Sequence, residues 1–170
     1  MQPQMVFFCN IFFKIEYFKS EVKSVDTREL FARLIKCEAG GEGESGMRAM
    51  ATVVMNRVRV PYGEYHTVCQ GDIRKVIVQM CQFSCYKTII GGQPNTQNVW
   101  SMTPDAIHYE IADWAINGGI YSGTGSDSLW YMNPFNPKCP DPFPYNGTGY
   151  WFTRLHQHCF YNPSDAYSET

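Results

Sequence analysis

The stretch Asp26-Thr27-Arg28-Glu29-Leu30-Phe31-Ala32-Arg33-Leu34-Ile35-Lys36-Cys37-Glu38-Ala39-Gly40-Gly41-Glu42-Gly43-Glu44 decides the reading of the chain. Asp26 followed by Glu29 has the spacing of a capping box, and Leu30, Phe31, Leu34 and Ile35 recur at the helical period. The pattern predicts a helix over 27–38, stopped where Gly40, Gly41 and Gly43 tolerate positive φ. One turn beyond Leu34 the apolar stripe lands on Glu38, so a carboxyl group falls on the face that should be buried. Burial disfavours the anion, and the negative end of the helix dipole acts in the same direction, so Glu38 is expected to hold its proton more tightly than a surface glutamate. Glu42 and Glu44 precede the next helix, whose positive end favours the charged form. Neighbouring carboxyl groups pushed apart in this way suit acid-catalysed glycosidic cleavage. The plain alternative is that Glu38 ends a helix and turns to solvent.

Working outward, Met47, Met50, Ala51, Val54 and Val58 give a second helix from near Ser45 to Pro61. Asp72–Met80 reads as a short helix, and Gly91–Asn98 as a polar loop. Thr103 is the expected cap of a further helix with Pro104 at its first position and Ile107, Ile111, Trp114 and Ala115 on its apolar face, ending at Gly118-Gly119. After Ser122 the character changes. A Gly/Ser/Thr/Asp turn leads to a strand over Leu129–Met132, residues 133–149 with five prolines form one long ordered loop, and Tyr150–Tyr161 is a returning strand. The fold class is therefore α+β: three or four helices beside a small antiparallel hairpin.

At 170 residues the chain fits one domain, and 44% hydrophobic with 18% charged residues is a globular composition. A formal net charge of -2 removes the electrostatic case for general nucleic-acid binding. The seven cysteines, at 9, 37, 69, 81, 85, 139 and 159, form no CxxC pair. They do not read as a secreted disulfide framework, although Cys139 and Cys159 are the pair expected to bond. The apolar run near the N-terminus is broken by Asn10, Lys14 and Glu16, so it is neither a signal peptide nor a membrane span. Residues 1–26 are read as a tail without an assigned role, and 27–170 as the catalytic domain.

Several ordered blocks resemble the SleB/CwlJ cell-wall hydrolase family, closest to its CwlJ branch. They are Ala32-Arg33-Leu34, Cys37-Glu38-Ala39-Gly40-Gly41-Glu42-Gly43-Glu44, Gly46-Met47, Asn56-Arg57, Gln82-Phe83-Ser84, Leu129-Trp130-Tyr131, Pro134, Cys139-Pro140 and His158-Cys159-Phe160-Tyr161-Asn162-Pro163. The resemblance covers about residues 27–165. It implies a lysozyme-like, transglycosylase-like helical lobe with a small antiparallel β-hairpin lobe, and cleavage of peptidoglycan glycan strands in the bacterial spore cortex during germination. It also implies that Glu38 is the general acid/base, either closing a 1,6-anhydro-muramic ring or admitting water. It further implies no cofactor, calcium dipicolinate as an activator, a spore coat partner, and synthesis in the mother cell followed by placement at the coat/cortex boundary.

Gln82, Phe83, Tyr131, Asn133 and Trp151 are the candidates for saccharide binding, since aromatic faces lie on sugar rings and amides bond to their hydroxyls. Phe83, Tyr131 and Trp151 could equally be core. Glu42, Glu44 and His158 are supporting candidates. His156 and His158, on one side of a strand, could join Cys139 and Cys159 in a zinc site, but the spacing is not diagnostic and no metal is expected. Two alternatives stay open: a non-catalytic peptidoglycan-binding coat protein, and a cell-wall peptidase using Cys37 or Cys159 with His158. Asn146-Gly147-Thr148 matches a glycosylation sequon but reads more simply as a turn.

Overall fold

The computed structural model describes residues 25–79 and 82–170. Apart from Val25 and Asp26, the expected tail lies outside them, as do Cys9, Met80 and Cys81. Helix α1 is Thr27–Ala39, and Asp26 caps it by accepting the Glu29 N–H through Oδ1 at 2.8 Å. Leu30, Phe31, Leu34 and Ile35 are fully buried, as their spacing requires. Gly40 closes the helix for a reason other than positive φ: its φ is -59°, and a Cβ there would collide with the Lys36 carbonyl. The left-handed residue is Gly43, at φ +69°, which starts the next helix.

Helix α2, Gly43–Arg59, is the central element and is buried on more than one side. Met47, Met50, Ala51 and Val54 join the main core with α1, while Ala49 and Val53 meet Phe160 in a smaller cluster. Two of its polar residues, Asn56 and Arg57, are also buried and reach across to the β lobe. Asn56 Nδ2 donates to the carbonyls of Gly125 (3.2 Å) and Ser128 (3.0 Å), and Arg57 Nε donates to Leu129 O at 2.7 Å. Two short helices follow, α3 (Gly63–Cys69) and α4 (Ile73–Val78), the latter capped by Asp72. The first was not expected from the sequence. Strands β1 (Ile89–Ile90) and β2 (Gln93–Pro94) make a minimal hairpin that starts just before the expected polar loop and ends within it.

Helix α5, Ala106–Ile116, packs on α1 and α2. Its N-cap is Asp105, not Thr103. The Asp105 N–H donates to His108 Nδ1 at 3.0 Å, and Lys36 Nζ donates to both Asp105 Oδ2 and Thr103 O at 2.8 Å. The β lobe also differs from expectation. The span read as one returning strand is two, β4 (Gly149–Leu155) and β5 (His158–Pro163), which with β3 (Trp130–Met132) make an antiparallel sheet ordered β3-β5-β4. A disulfide between Cys139 and Cys159, with Cα atoms 5.9 Å apart, fastens the proline-rich loop to β5. Asn146 Oδ1 accepts both the N–H and the hydroxyl of Thr148, so the sequon is a turn. Among the described residues no helix is long and apolar enough to cross a membrane.

Candidate active site

Glu38 sits on the last turn of α1 and is half-buried, neither sealed in the core nor bathed in solvent. Three groups from distant parts of the chain converge on its carboxyl. Oε1 accepts the Cys85 backbone N–H at 3.2 Å and the Ser84 hydroxyl at 3.3 Å, both from the same 3-10 turn, Ser84–Tyr86. Oε2 accepts the Tyr131 hydroxyl at 3.3 Å from β3. The Tyr131 phenol is pushed up well above its ordinary value by burial and then by the neighbouring Glu38 charge, so it remains a hydroxyl. Arg57 acts in the opposite direction on that phenol. Its guanidinium is buried, forms no ion pair among the described residues, and lies over the Tyr65 (4.9 Å) and Phe83 (5.5 Å) rings.

A second carboxyl is tied to the same wall. Glu42, at the start of α2, accepts the Gln157 backbone N–H at 3.0 Å and lies 3.5 Å from His158 Nδ1. His158 meets the Tyr131 ring nearly at right angles, with centroids 5.3 Å apart, so Tyr131 and His158 stand between the two glutamates. Gly46 makes this possible, because a Cβ there would collide with the Glu42 Cβ. Ser45 Oγ hydrogen-bonds to His156 Nε2 at 2.9 Å, adding a second tie between α2 and the β4–β5 turn. Glu44 points elsewhere and pairs with Arg48 at 2.8 Å.

The saccharide candidates separate. Tyr131 is at the carboxyl, and Trp151 is 47% exposed on the edge strand β4, with its N–H held by Asp141 Oδ1. Phe83 is corrected: at 4% exposure it is a core residue and presents no face to a sugar. The Gln82 side chain is engaged internally, its Oε1 accepting from Tyr65 OH (3.0 Å) and Arg57 Nη1 (3.4 Å). Asn133 Oδ1 accepts the Phe135 N–H at 2.8 Å and shapes the loop. Sequence reasoning missed Ser84, the Cys85 N–H and Arg57 as neighbours of the site, although Ser84 and Arg57 lie in the blocks that carry the resemblance.

The metal and thiol constellations do not assemble. Cys139 and Cys159 share a disulfide, His156 lies in the turn and not on a strand with His158, and Cys159 is therefore no nucleophile. Cys37 donates its thiol proton to Gln97 O, and a hydrogen bond with Cys37, followed by burial, pushes the Cys85 thiol up.

A sequence profile described as Cell Wall Hydrolase matches residues 41–161. The chain belongs to the Cell Wall Hydrolase family. It is 29% identical over 139 residues to the cell wall hydrolase CwlJ of Halalkalibacterium halodurans, covering 81% of this chain and 86% of that protein. It is 29% identical over 136 residues to the cell wall hydrolase CwlJ of Bacillus subtilis, covering 80% and 84%. Its fold is that of two solved structures. The catalytic domain of the germination-specific lytic transglycosylase SleB from Bacillus anthracis matches with a TM-score of 0.57 at 21% identity, covering 81% of this chain and 97% of that one. The catalytic domain of Bacillus cereus SleB matches with a TM-score of 0.53 at 22% identity, covering 79% and 88%. The α+β, lysozyme-like expectation therefore holds, with a three-stranded sheet in place of a hairpin. The profile match begins just after Glu38, so the case for that residue rests on its geometry.

Proposed function

We propose that this cell wall hydrolase cleaves the glycan strands of spore cortex peptidoglycan during germination, with Glu38 as the single general acid/base of a lytic-transglycosylase reaction. The observation that carries this reading is the carboxyl of Glu38, half-buried and held at both oxygens by Cys85 N–H, Ser84 and Tyr131. The Cys85 N–H can only donate, so Oε1 stays an acceptor in either protonation state. The Ser84 hydroxyl at Oε1 and the Tyr131 hydroxyl at Oε2 can each turn, so both can donate to the carboxylate and neither opposes a proton on the carboxyl.

The protonated Glu38 gives its proton to the oxygen leaving C1 of the muramic unit as that bond breaks. The three donors then stabilise the carboxylate beside the oxocarbenium-like centre. Glu38 takes the proton of the muramic C6 hydroxyl, whose oxygen closes onto C1 to form the 1,6-anhydro ring, and the enzyme is restored without consuming water. A retaining hydrolase needs a second carboxylate free to attack. Glu42 is committed to Gln157 and His158, and Glu44 to Arg48, which supports the route with one carboxyl. The CwlJ relatives, cell wall hydrolases, support cleavage of the cell wall, and the SleB neighbour, a germination-specific lytic transglycosylase, supports the route without water. Activation by calcium dipicolinate and a spore coat partner enter this reading from the resemblance alone.

The test is incubation of purified cortex with wild type and with Glu38→Gln, followed by mass analysis of the muropeptides. Fragments ending in anhydro-muramic acid from wild type and none from the variant are expected. Reducing ends would make the enzyme a hydrolase, and no wild-type fragments under activating conditions would make it a peptidoglycan-binding coat protein.

A further inference from the structure

Beside the β4–β5 turn lies an open depression of about 500 Å³ lined by Phe135, Asn136, Pro137, Arg154 and Gln157. The Arg154 guanidinium is fixed by three backbone carbonyls: Nη1 donates to Asn136 O (2.8 Å) and Pro137 O (2.7 Å), and Nε donates to His156 O (3.2 Å). Among the described residues no carboxylate forms an ion pair with it, and its Nη2 has no hydrogen-bond partner. A positive charge is thus held in one orientation with a donor edge unspent, an arrangement that suits a carboxylate. Phe135 stands 92% exposed at the same depression, on a left-handed backbone (φ +48°) that its N–H bond to Asn133 Oδ1 holds in place. A phenyl ring is displayed to solvent at the cost of an unfavourable φ, which is a feature of ligand-contacting segments. The depression adjoins the candidate active site, because the N–H of its lining residue Gln157 is the one bound by Glu42.

The geometry points to Arg154 and Phe135 as a subsite for the carboxylate-bearing peptide stem of the glycan strand, Arg154 taking the carboxylate and Phe135 covering the apolar part of the stem. This rests on the proposed peptidoglycan substrate and adds to it the feature that distinguishes peptidoglycan from an uncharged glycan: the peptide carried on its muramic units.

The experiment is calorimetric titration of the full chain with two probes: a single N-acetylglucosaminyl–N-acetylmuramic acid disaccharide carrying its peptide stem, and the same disaccharide after amidase treatment, purification away from the peptide and capping of the freed lactyl carboxyl as its methylamide. Neither contains a bond at C1 of muramic acid leading to a further sugar, so binding is read without turnover, and failure of the Glu38 chemistry leaves the result readable. The stem-bearing probe is expected to bind about ten-fold more tightly than the stripped one, the worth of one charge-assisted contact. Arg154→Gln should abolish that preference, Arg154→Lys restore part of it, and Phe135→Ala weaken the stem-bearing probe alone. Equal affinity for the two probes, binding of neither, or a preference that survives Arg154→Gln would overturn the subsite. If Arg154→Gln fails to fold, the wild-type preference and the Phe135→Ala variant decide.

Discussion

At the scale of single residues, the proposed chemistry depends on the partners of one carboxyl. Tyr131→Phe removes the hydroxyl at Oε2 but keeps the ring against His158 and Phe160. Under the proposed mechanism kcat should fall about 10- to 150-fold with KM nearly unchanged, since a hydrogen bond to a charged group is worth about 1.5–3 kcal/mol. Steady-state kinetics on cortex fragments, with thermal unfolding as a control, checks this, and an unaltered kcat would remove Tyr131 from the mechanism. The position of Glu38 was legible because periodicity from Leu34 reaches it within the same helix. Its partners were not, because Ser84, Cys85 and Tyr131 lie 46, 47 and 93 residues away and only tertiary folding brings them together. Phe83 shows the complementary failure: an aromatic beside a polar residue looks the same in sequence whether it faces a ligand or fills the core.

At the scale of elements, the contact between α2 and the β4–β5 turn depends on the missing side chain of Gly46. Gly46→Ala should displace Glu42 and loosen its bond to Gln157, lowering stability by about 1–3 kcal/mol in urea unfolding, the usual range for overpacking a close contact. A neutral outcome would mean that Glu42 has room to move.

The α5 cap makes a pH prediction. His108 is 4% exposed, and burial lowers its pKa below the ordinary 6.5. Its Nδ1 accepts the Asp105 N–H and is therefore unprotonated, so the nearby Asp105 carboxylate does not face an imidazolium. The unfolded chain binds a proton more readily than the folded one between 6.5 and the lowered value, so stability falls as pH drops through that window and is fully present above it. Denaturant midpoints at several pH values, in wild type and in His108→Gln, measure this, and the variant should show a shallower decline.

Helices α1 and α2 were readable because their apolar spacing matches the elements they form. Helix α3 escaped because it has seven residues and buries only Tyr65 and Cys69. The break between β4 and β5 escaped because His156-Gln157 lacks the glycine, asparagine or aspartate that marks a tight turn. His156 takes φ +50° with its side chain bound to Ser45, a support that no local signal announces.

At the scale of the molecule, the helical lobe and the β lobe are joined by the buried polar side chains of α2 and by the candidate site itself. The long loop between β3 and β4 is held to this frame by the Cys139–Cys159 disulfide, which closes a span of 20 residues. Cys139→Ala should lower stability by about 3 kcal/mol and Tm by roughly 6–12 °C, and a reducing agent should reproduce the shift in wild type only. The class of fold was legible from composition, turn residues and the change of pattern after Ser122. The strand count was not, because pairing depends on partners distant in the chain.

In the proposed mechanism both lobes take part: a carboxyl from the helical lobe, bound by a hydroxyl from the β lobe, breaks the strand without water. Digestion of cortex in ¹⁸O-labelled water tests it most directly. Wild type should yield anhydro-muramic ends free of the label, and Glu38→Gln should lose at least about 10²-fold in rate, the usual share of a general acid/base. Labelled reducing ends, or a Glu38→Gln variant as fast as wild type, would contradict it.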